Sequence, residues 1–313
     1  MDYLSLLLGL AGLWFGTEVT IRGAVSVAER LGVSEFIVGV AILSIGSDLP
    51  ELAIAVDGAL KNLHAADTSD VIVGTALGSS LGQIGFVLGI ASLFSYLTLP
   101  RSIIYRHGSV LLGSVVLLGV FGFDGHVSQA EGFALVTVYL IYFGALFGDR
   151  NRAVEHEDGD GTVGTLRSWA YLIVGLAIVI VCAELTVDGA IAVAAALDIS
   201  EAFVAVIIIG LGTSLPELSI SVGAAMKNRA RMSVGNLIGS NIFDTLVPVG
   251  VAAAIAGLRF DSNLLRYEVP FLFVLSLIVL FFFVRKRGIQ RGEAVTILVL
   301  YGGYVLLKFS NVF

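Results

Sequence analysis

The chain has 313 residues, 57% of them hydrophobic and only 14% charged, with a mean hydropathy of +0.95. A soluble protein of this size cannot hide so much apolar surface, so the composition excludes a water-soluble fold and indicates an all-α polytopic membrane protein. The net charge of −7, with no basic or aromatic-rich tract, gives no sign of a nucleic-acid partner.

Ten apolar runs follow in order, with approximate limits 3–28, 35–60, 70–97, 108–123, 130–148, 168–196, 201–226, 232–256, 267–284 and 293–308. Met1-Asp2-Tyr3 lacks a basic stretch, so the first run reads as a retained helix rather than a cleaved signal. Gly125, His126 and Ser128 mark the turn between the fourth and fifth runs. The single Cys182 cannot form an internal disulfide and reads as a small packing residue. Between the fifth and sixth runs, residues 149–167 carry Glu155, Glu157, Asp158 and Asp160 among glycines. Their spacing fits no EF-hand loop, and a solvated connector is the expectation.

Arginine and lysine set the orientation. Thirteen of the 18 fall in alternate loops, around Arg30, Arg101, Arg150, Lys227 and Arg285, while Lys61, Arg259, Arg266 and Lys308 lie on the other side. This bias places the first set in the cytoplasm and both termini outside.

The two halves repeat. Glu18, Gly23, Gly46, Pro50, Glu51, Lys61 and Asn62 recur as Glu184, Gly189, Gly212, Pro216, Glu217, Lys227 and Asn228, at a constant offset of 166. Gly74, Gly78 and Ser79 recur as Gly235, Gly239 and Ser240 at an offset of 161. Five spans per half is an odd number, so the copies insert upside-down relative to one another. The expected organisation is a first repeat over 1–148, a cytoplasmic linker over 149–167 and a second repeat over 168–313.

Two stretches in each repeat can carry chemistry. The first is Gly46-Ser47-Asp48-Leu49-Pro50-Glu51, echoed by Gly212-Thr213-Ser214-Leu215-Pro216-Glu217. Proline removes a backbone donor and clashes with the preceding turn, so spans two and seven are expected to be broken helices. At membrane depth such a break survives only around protein or a water-filled cavity. Freed carbonyls, hydroxyls and a carboxylate can then face one point, a ligand set suited to hard cations. The second stretch runs from Gly74 to Gln83 and from Gly235 to Asp244. It puts Ser79 with Gln83, and Ser240 with Asp244, four residues apart on one helix face.

These paired motifs resemble the α-repeats of the cation/calcium exchanger superfamily, most closely its prokaryotic sodium/calcium exchangers. The second repeat matches the family pattern through Gly212 to Glu217 and Gly235 to Asp244. The resemblance implies cation ligands at Ser47, Glu51, Ser79, Thr213, Ser214, Glu217, Ser240 and Asp244, with carbonyls at Ser44 and Gly210. The implied activity is secondary antiport of Na⁺ and Ca²⁺ by alternating access, with spans one and six sliding as the gate. The expected setting is a plasma membrane, with Na⁺, Ca²⁺ and lipid as partners, a monomer, and no cofactor.

The first repeat departs from the pattern. Asp48 stands opposite Ser214, Gln83 opposite Asp244 and Thr75 opposite Asn236. Asp48, Glu51, Glu217 and Asp244 thus form a four-acid candidate site, with Asp48 and Gln83 added to the ligand set. Four carboxylates cannot all stay ionised in a dry site without cations. One Ca²⁺ balances two and three Na⁺ balance three, so one acid is expected to hold a proton or face the vestibule. A proton-coupled cation exchanger of the same fold is therefore the alternative, and a passive cation channel lined by the same acids is a third reading. Glu18 is spaced to pair with Arg22, and packing and gating are both open roles for Glu18 and Glu184. His64, His107, His126 and His156 fall in or near loops without metal-ligand spacing.

Overall fold

The computed structural model describes residues 2–64, 67–148, 165–196, 212 and 214–309. In chain order the helices are α1 (Asp2–Leu31), α2 (Glu35–Ser47), α3 (Leu49–Leu63), α4 (Ser69–Phe94), α5 (Arg101–Phe121) and α6 (Gln129–Gly148). The second half supplies α7 (Thr165–Ala196), α8 (Leu215–Met226), α9 (Ala230–Ala256), α10 (Leu264–Lys286) and α11 (Arg291–Phe309).

Among the described residues, seven helices are long and apolar enough to cross a membrane, and eight if the bent pair α2–α3 is one span. The shorter apolar helix α8 and the helix α11 lie where the seventh and tenth runs were expected. The segment 197–211, which would begin the seventh run, lies outside the described residues, as does the linker 149–164. The fold is an all-helical, multi-pass membrane fold.

Local chemistry sets most helix ends. Ser34 caps α2, its hydroxyl accepting from the Ile37 N–H at 3.4 Å. Pro50 and Pro216 sit in the first turns of α3 and α8, where a missing N–H costs nothing. Gly257 ends α9 at φ +65, a backbone conformation that a side chain would strain.

One boundary differs from the hydropathy reading. The fourth span begins at Arg101 rather than near 108, because Pro100 opens the helix and its polar first turns hide within a basic stretch. Arg101 donates to the Val284 carbonyl and Arg106 to the Ala145 carbonyl, which ties that polar start to α10 and α6. The longer helix corrects the reading of His107 as a loop residue. His107 is buried, bonded through Nδ1 to the Tyr142 hydroxyl at 2.8 Å and packed 4.7 Å from the Phe36 ring.

α1 and α7 lie against each other, antiparallel, with small residues at the contact. The contacts are reciprocal. Gly9 abuts Thr186, and Gly175 abuts Thr20; Gly23 abuts Leu172, and Gly189 abuts Leu6. Adding 166 to one partner and subtracting it from the other turns each contact into its mate. The Thr20 hydroxyl donates to the Gly16 carbonyl and the Thr186 hydroxyl to the Cys182 carbonyl, which are again matched positions. α9 and α4 are the most deeply buried helices and form the centre of the molecule. A short antiparallel ribbon, β1 (His126–Val127) with β2 (Leu258–Arg259), ties the loop after α5 to the end of α9.

Candidate cation site

The site forms where the broken pair α2–α3 and the start of α8 meet the two central helices, α4 and α9. α2 contains a π-helical turn over Gly39–Leu43. It meets α3 at Asp48 with a bend of 47°. α4 contains a second π turn over Gln83–Val87. Such turns widen the helix and free carbonyls, and they concentrate at functional sites.

Glycines let the backbones approach. A side chain at Gly39 would strike the Met232 carbonyl, one at Gly235 the Phe36 carbonyl, and one at Gly239 the Ser44 hydroxyl. α2 therefore lies directly on α9, with the Ser44 hydroxyl against Gly239. Gly82 of α4 faces the Ser214 hydroxyl, which lies 3.2 Å from where a Cβ would sit. Gly74 and Gly78 have no neighbour within 4 Å of an added Cβ among the described residues.

The structure buries Ser44, Ser47, Asp48, Glu51, Ser79, Gln83, Ser214, Glu217, Ser240 and Asp244. Gly210 and Thr213 lie outside the described residues. Asp48 and Ser214, matched in the repeats, share a backbone conformation, with φ −89 and ψ 5 for one and φ −91 and ψ 9 for the other. The carboxylates of Asp48, Glu51, Glu217 and Asp244 lie within electrostatic reach of one another.

Their oxygens are mostly unpartnered. Both oxygens of Asp48, Glu51 and Glu217, Oδ1 of Asp244, and the hydroxyls of Ser214 and Ser240 have no hydrogen-bond partner among the described residues. Taking an ionised carboxylate out of water without a partner costs several kcal/mol even after relaxation. This donor set is all oxygen and matches the preference of Na⁺ and Ca²⁺. No three Asp, Glu, His or Cys side chains among the described residues converge tightly enough to hold one ion alone. A cation here must therefore draw on hydroxyls, carbonyls or water as well. The Ser44 carbonyl already accepts from the Asp48 N–H at 2.9 Å and the Ser47 hydroxyl at 3.2 Å, so it is free for an ion only if Ser47 turns away.

Gln83 organises one wall. Its amide donates to Asp244 Oδ2 at 3.0 Å and to the Ser79 hydroxyl at 3.2 Å, and its carbonyl accepts from Asn241 at 2.7 Å. Asn241 and the unpartnered Ser80 hydroxyl belong to the buried polar set although neither was singled out by sequence. The signal was available, since Ser80 and Asn241 are matched positions inside the second motif.

A cavity of about 290 Å³ lies beside the site, lined by Pro50, Glu51, Glu184, Asp188 and Pro216 among others. Glu18, the matched position of Glu184, meets Lys227 Nζ through Oε2 at 2.5 Å, and the neighbouring Thr17 hydroxyl bonds to that of Ser219.

A family model described as sodium/calcium exchanger protein matches residues 1–148 and 167–310. The chain belongs to the sodium/calcium exchanger family. Among curated relatives, an uncharacterized membrane protein of Methanocaldococcus jannaschii is 33% identical over 295 residues, 94% of each chain. The sodium/calcium exchanger MaX1 of Methanosarcina acetivorans is 27% identical over 99% of each chain. Among solved structures, the sodium-calcium exchanger NCX_Mj, soaked with 2.5 mM Na⁺ and 0.1 mM Ca²⁺, is similar with a TM-score of 0.81. That match is 31% identical and covers 99% of this chain and 98% of that one. Family membership makes the protein a membrane transporter, and a cation exchanger is what the buried oxygen cluster suits.

Proposed function

We propose that the protein is a secondary antiporter that exchanges Na⁺ for Ca²⁺ across a plasma membrane by alternating access. Ser47, Asp48, Glu51, Ser79, Gln83, Thr213, Ser214, Glu217, Ser240 and Asp244 line the ion sites, with the carbonyls of Ser44 and Gly210. The observation that carries this reading is the set of seven buried carboxylate oxygens with no partner, contributed by Asp48, Glu51, Glu217 and Asp244. Such a cluster is stable only when cations or protons fill it. One Ca²⁺ or several Na⁺ satisfy the same oxygens, so the two ions compete and one drives the other.

The chain is organised in this reading as ten spans in two inverted repeats, 1–148 and 168–313, joined by the cytoplasmic linker 149–167. The reciprocal contacts of α1 and α7 support it, because an inverted pair related by a two-fold axis makes each contact twice. Both termini lie outside by the distribution of arginine and lysine.

Radiolabelled Ca²⁺ uptake into Na⁺-loaded proteoliposomes tests the proposal. Uptake that requires internal Na⁺ is expected. Uptake driven by a pH gradient, with choline replacing Na⁺, would move the protein to proton coupling. That second reading has its own observation, the unpartnered fourth acid Asp48 on the axis of the break. Ca²⁺ flux without any counter-ion would make it a channel.

A further inference from the structure

We propose that Glu184 and Asp188 form a waiting station for a hydrated cation ahead of Glu51, on one face of the protein only. The inference deepens the exchange reading and rests on it.

Glu184 and Asp188 are four residues apart on α7, hence on one face, and both line the cavity that Glu51 also lines. Both are exposed, and neither makes an ion pair or hydrogen bond among the described residues. Two like charges one turn apart oppose each other on a helix, which a cation between them relieves. Glu51 is 3% exposed, and both its carboxylate oxygens lack a partner. The cavity therefore runs from two exposed acids to one buried, unpartnered acid. Because no three of these acids close on a single point, the ion keeps water at the outer pair and sheds it further in.

The matched positions on the opposite face are built differently. Glu184 and Asp188 correspond to Glu18 and Arg22, so the second acid becomes a base. Arg22 pairs with Glu18 at 3.4 Å and Lys227 with Glu18 at 2.5 Å, leaving no net acid there. Lys227 corresponds to Lys61, which does not neutralise Glu184 because Asp57 holds it at 2.5 Å. Asp57 in turn corresponds to Gly223, which has no side chain and packs on Thr17. Two differences between the halves, Asp57 for Gly223 and Asp188 for Arg22, thus make one access route acidic and leave the other with two bases on one acid, a net positive charge. The attraction grows with ionic charge, so the acidic route favours a divalent cation over Na⁺. In the orientation proposed above it opens outward.

The test is Ca²⁺ transport by the full chain in oriented proteoliposomes, titrated from each face at low and high ionic strength. The E184Q/D188N double variant is expected to raise the outer KM about tenfold at low ionic strength, with a smaller loss of maximal rate. The difference should collapse in about 0.5 M choline chloride, and the KM from the other face should not move. The charge-retaining E184D/D188E variant should keep the wild-type KM, and Glu29→Gln, an exposed acid at the far end of α1, should change neither face. An unaltered outer KM in E184Q/D188N, or a rise that is the same at high ionic strength, overturns the inference while leaving exchange standing. Wild-type vesicles that take up no Ca²⁺ overturn the exchange reading and the waiting station with it.

Discussion

Gln83 and Asp244 occupy matched positions in the two halves of the chain, and they bond to each other, Gln83 Nε2 donating to Asp244 Oδ2 at 3.0 Å. In the inverted-repeat organisation proposed above, residues at matched positions can touch only where they approach the two-fold axis. The bond joins the two most deeply buried helices, α4 and α9, beside the unpartnered carboxylates of the candidate site. It also explains why one half carries an amide where the other carries an acid. Two carboxylates at this separation would repel, whereas an amide donates to one and accepts from Asn241 at 2.7 Å. Gln83→Leu leaves Asp244 Oδ2 unpaired, at a cost of about 1–3 kcal/mol, while the Asn241 amide keeps only its 3.3 Å bond to the Leu237 carbonyl. A lower melting temperature in detergent and a weaker Ca²⁺ dependence of that temperature are the expected results.

Glu51 and Glu217 are matched carboxylates with four unpartnered oxygens between them. In the proposed function, Glu51→Gln and Glu217→Gln each remove a charge that a bound cation would draw on. Losing one partner of a buried charge contact costs about 3–5 kcal/mol, which is about 100-fold or more in affinity. Ca²⁺ uptake should fall accordingly, and added Ca²⁺ should no longer raise the melting temperature of either variant.

Asp48→Ser makes the first repeat resemble the second at the break, where Ser214 has the same backbone conformation. The variant removes one of four acids, so the number of cations or protons needed to neutralise the site drops. Transport rate measured against Na⁺ concentration and against pH should change in at least one of the two profiles. Unchanged behaviour in both would remove Asp48 from the ligands.

The pair Glu18–Lys227 joins α1 to the end of α8 across a partly exposed gap. Lys227→Gln should favour the state open on that face. Exposed pairs contribute at most about 1 kcal/mol, so the population shift is roughly fivefold or less. Apparent Ca²⁺ affinity measured from that face should tighten by up to that factor, since more of the protein is competent to bind there.

The α1–α7 contact allows no side chain at Gly175, where a Cβ would lie 2.6 Å from the Thr20 hydroxyl. Gly175→Val should destabilise by about 1–3 kcal/mol through overpacking. Gly113→Ala, at a position with open space around it among the described residues, should be close to neutral. Thermal unfolding of both variants in detergent checks the contrast.

Much of this protein is legible along the chain, because its signals are local. A run of apolar residues must cross or leave the membrane wherever the rest of the chain goes, and a proline breaks a helix by its own ring. The broken helix at Asp48, the burial of Glu51, Ser79 and Asp244, and the sharing of one helix face by Ser79 and Gln83 all follow from such terms. The pairing of charges does not, because it is a competition among neighbours that only helix crossings bring together. Glu18 was spaced for Arg22, yet its shorter contact is with Lys227, more than two hundred residues away. Lys61, its repeat mate, is taken by Asp57 one turn back. His107 shows the same division, since its burial depends on Pro100 starting a helix early and on Tyr142 and Phe36 arriving from other helices. The sequence by itself determined the membrane class, the family motifs and the repeat. The tertiary structure decided which carboxylates stand unpartnered and which are closed by a base, because the electrostatic energy of a group depends on distances that no spacing along the chain specifies.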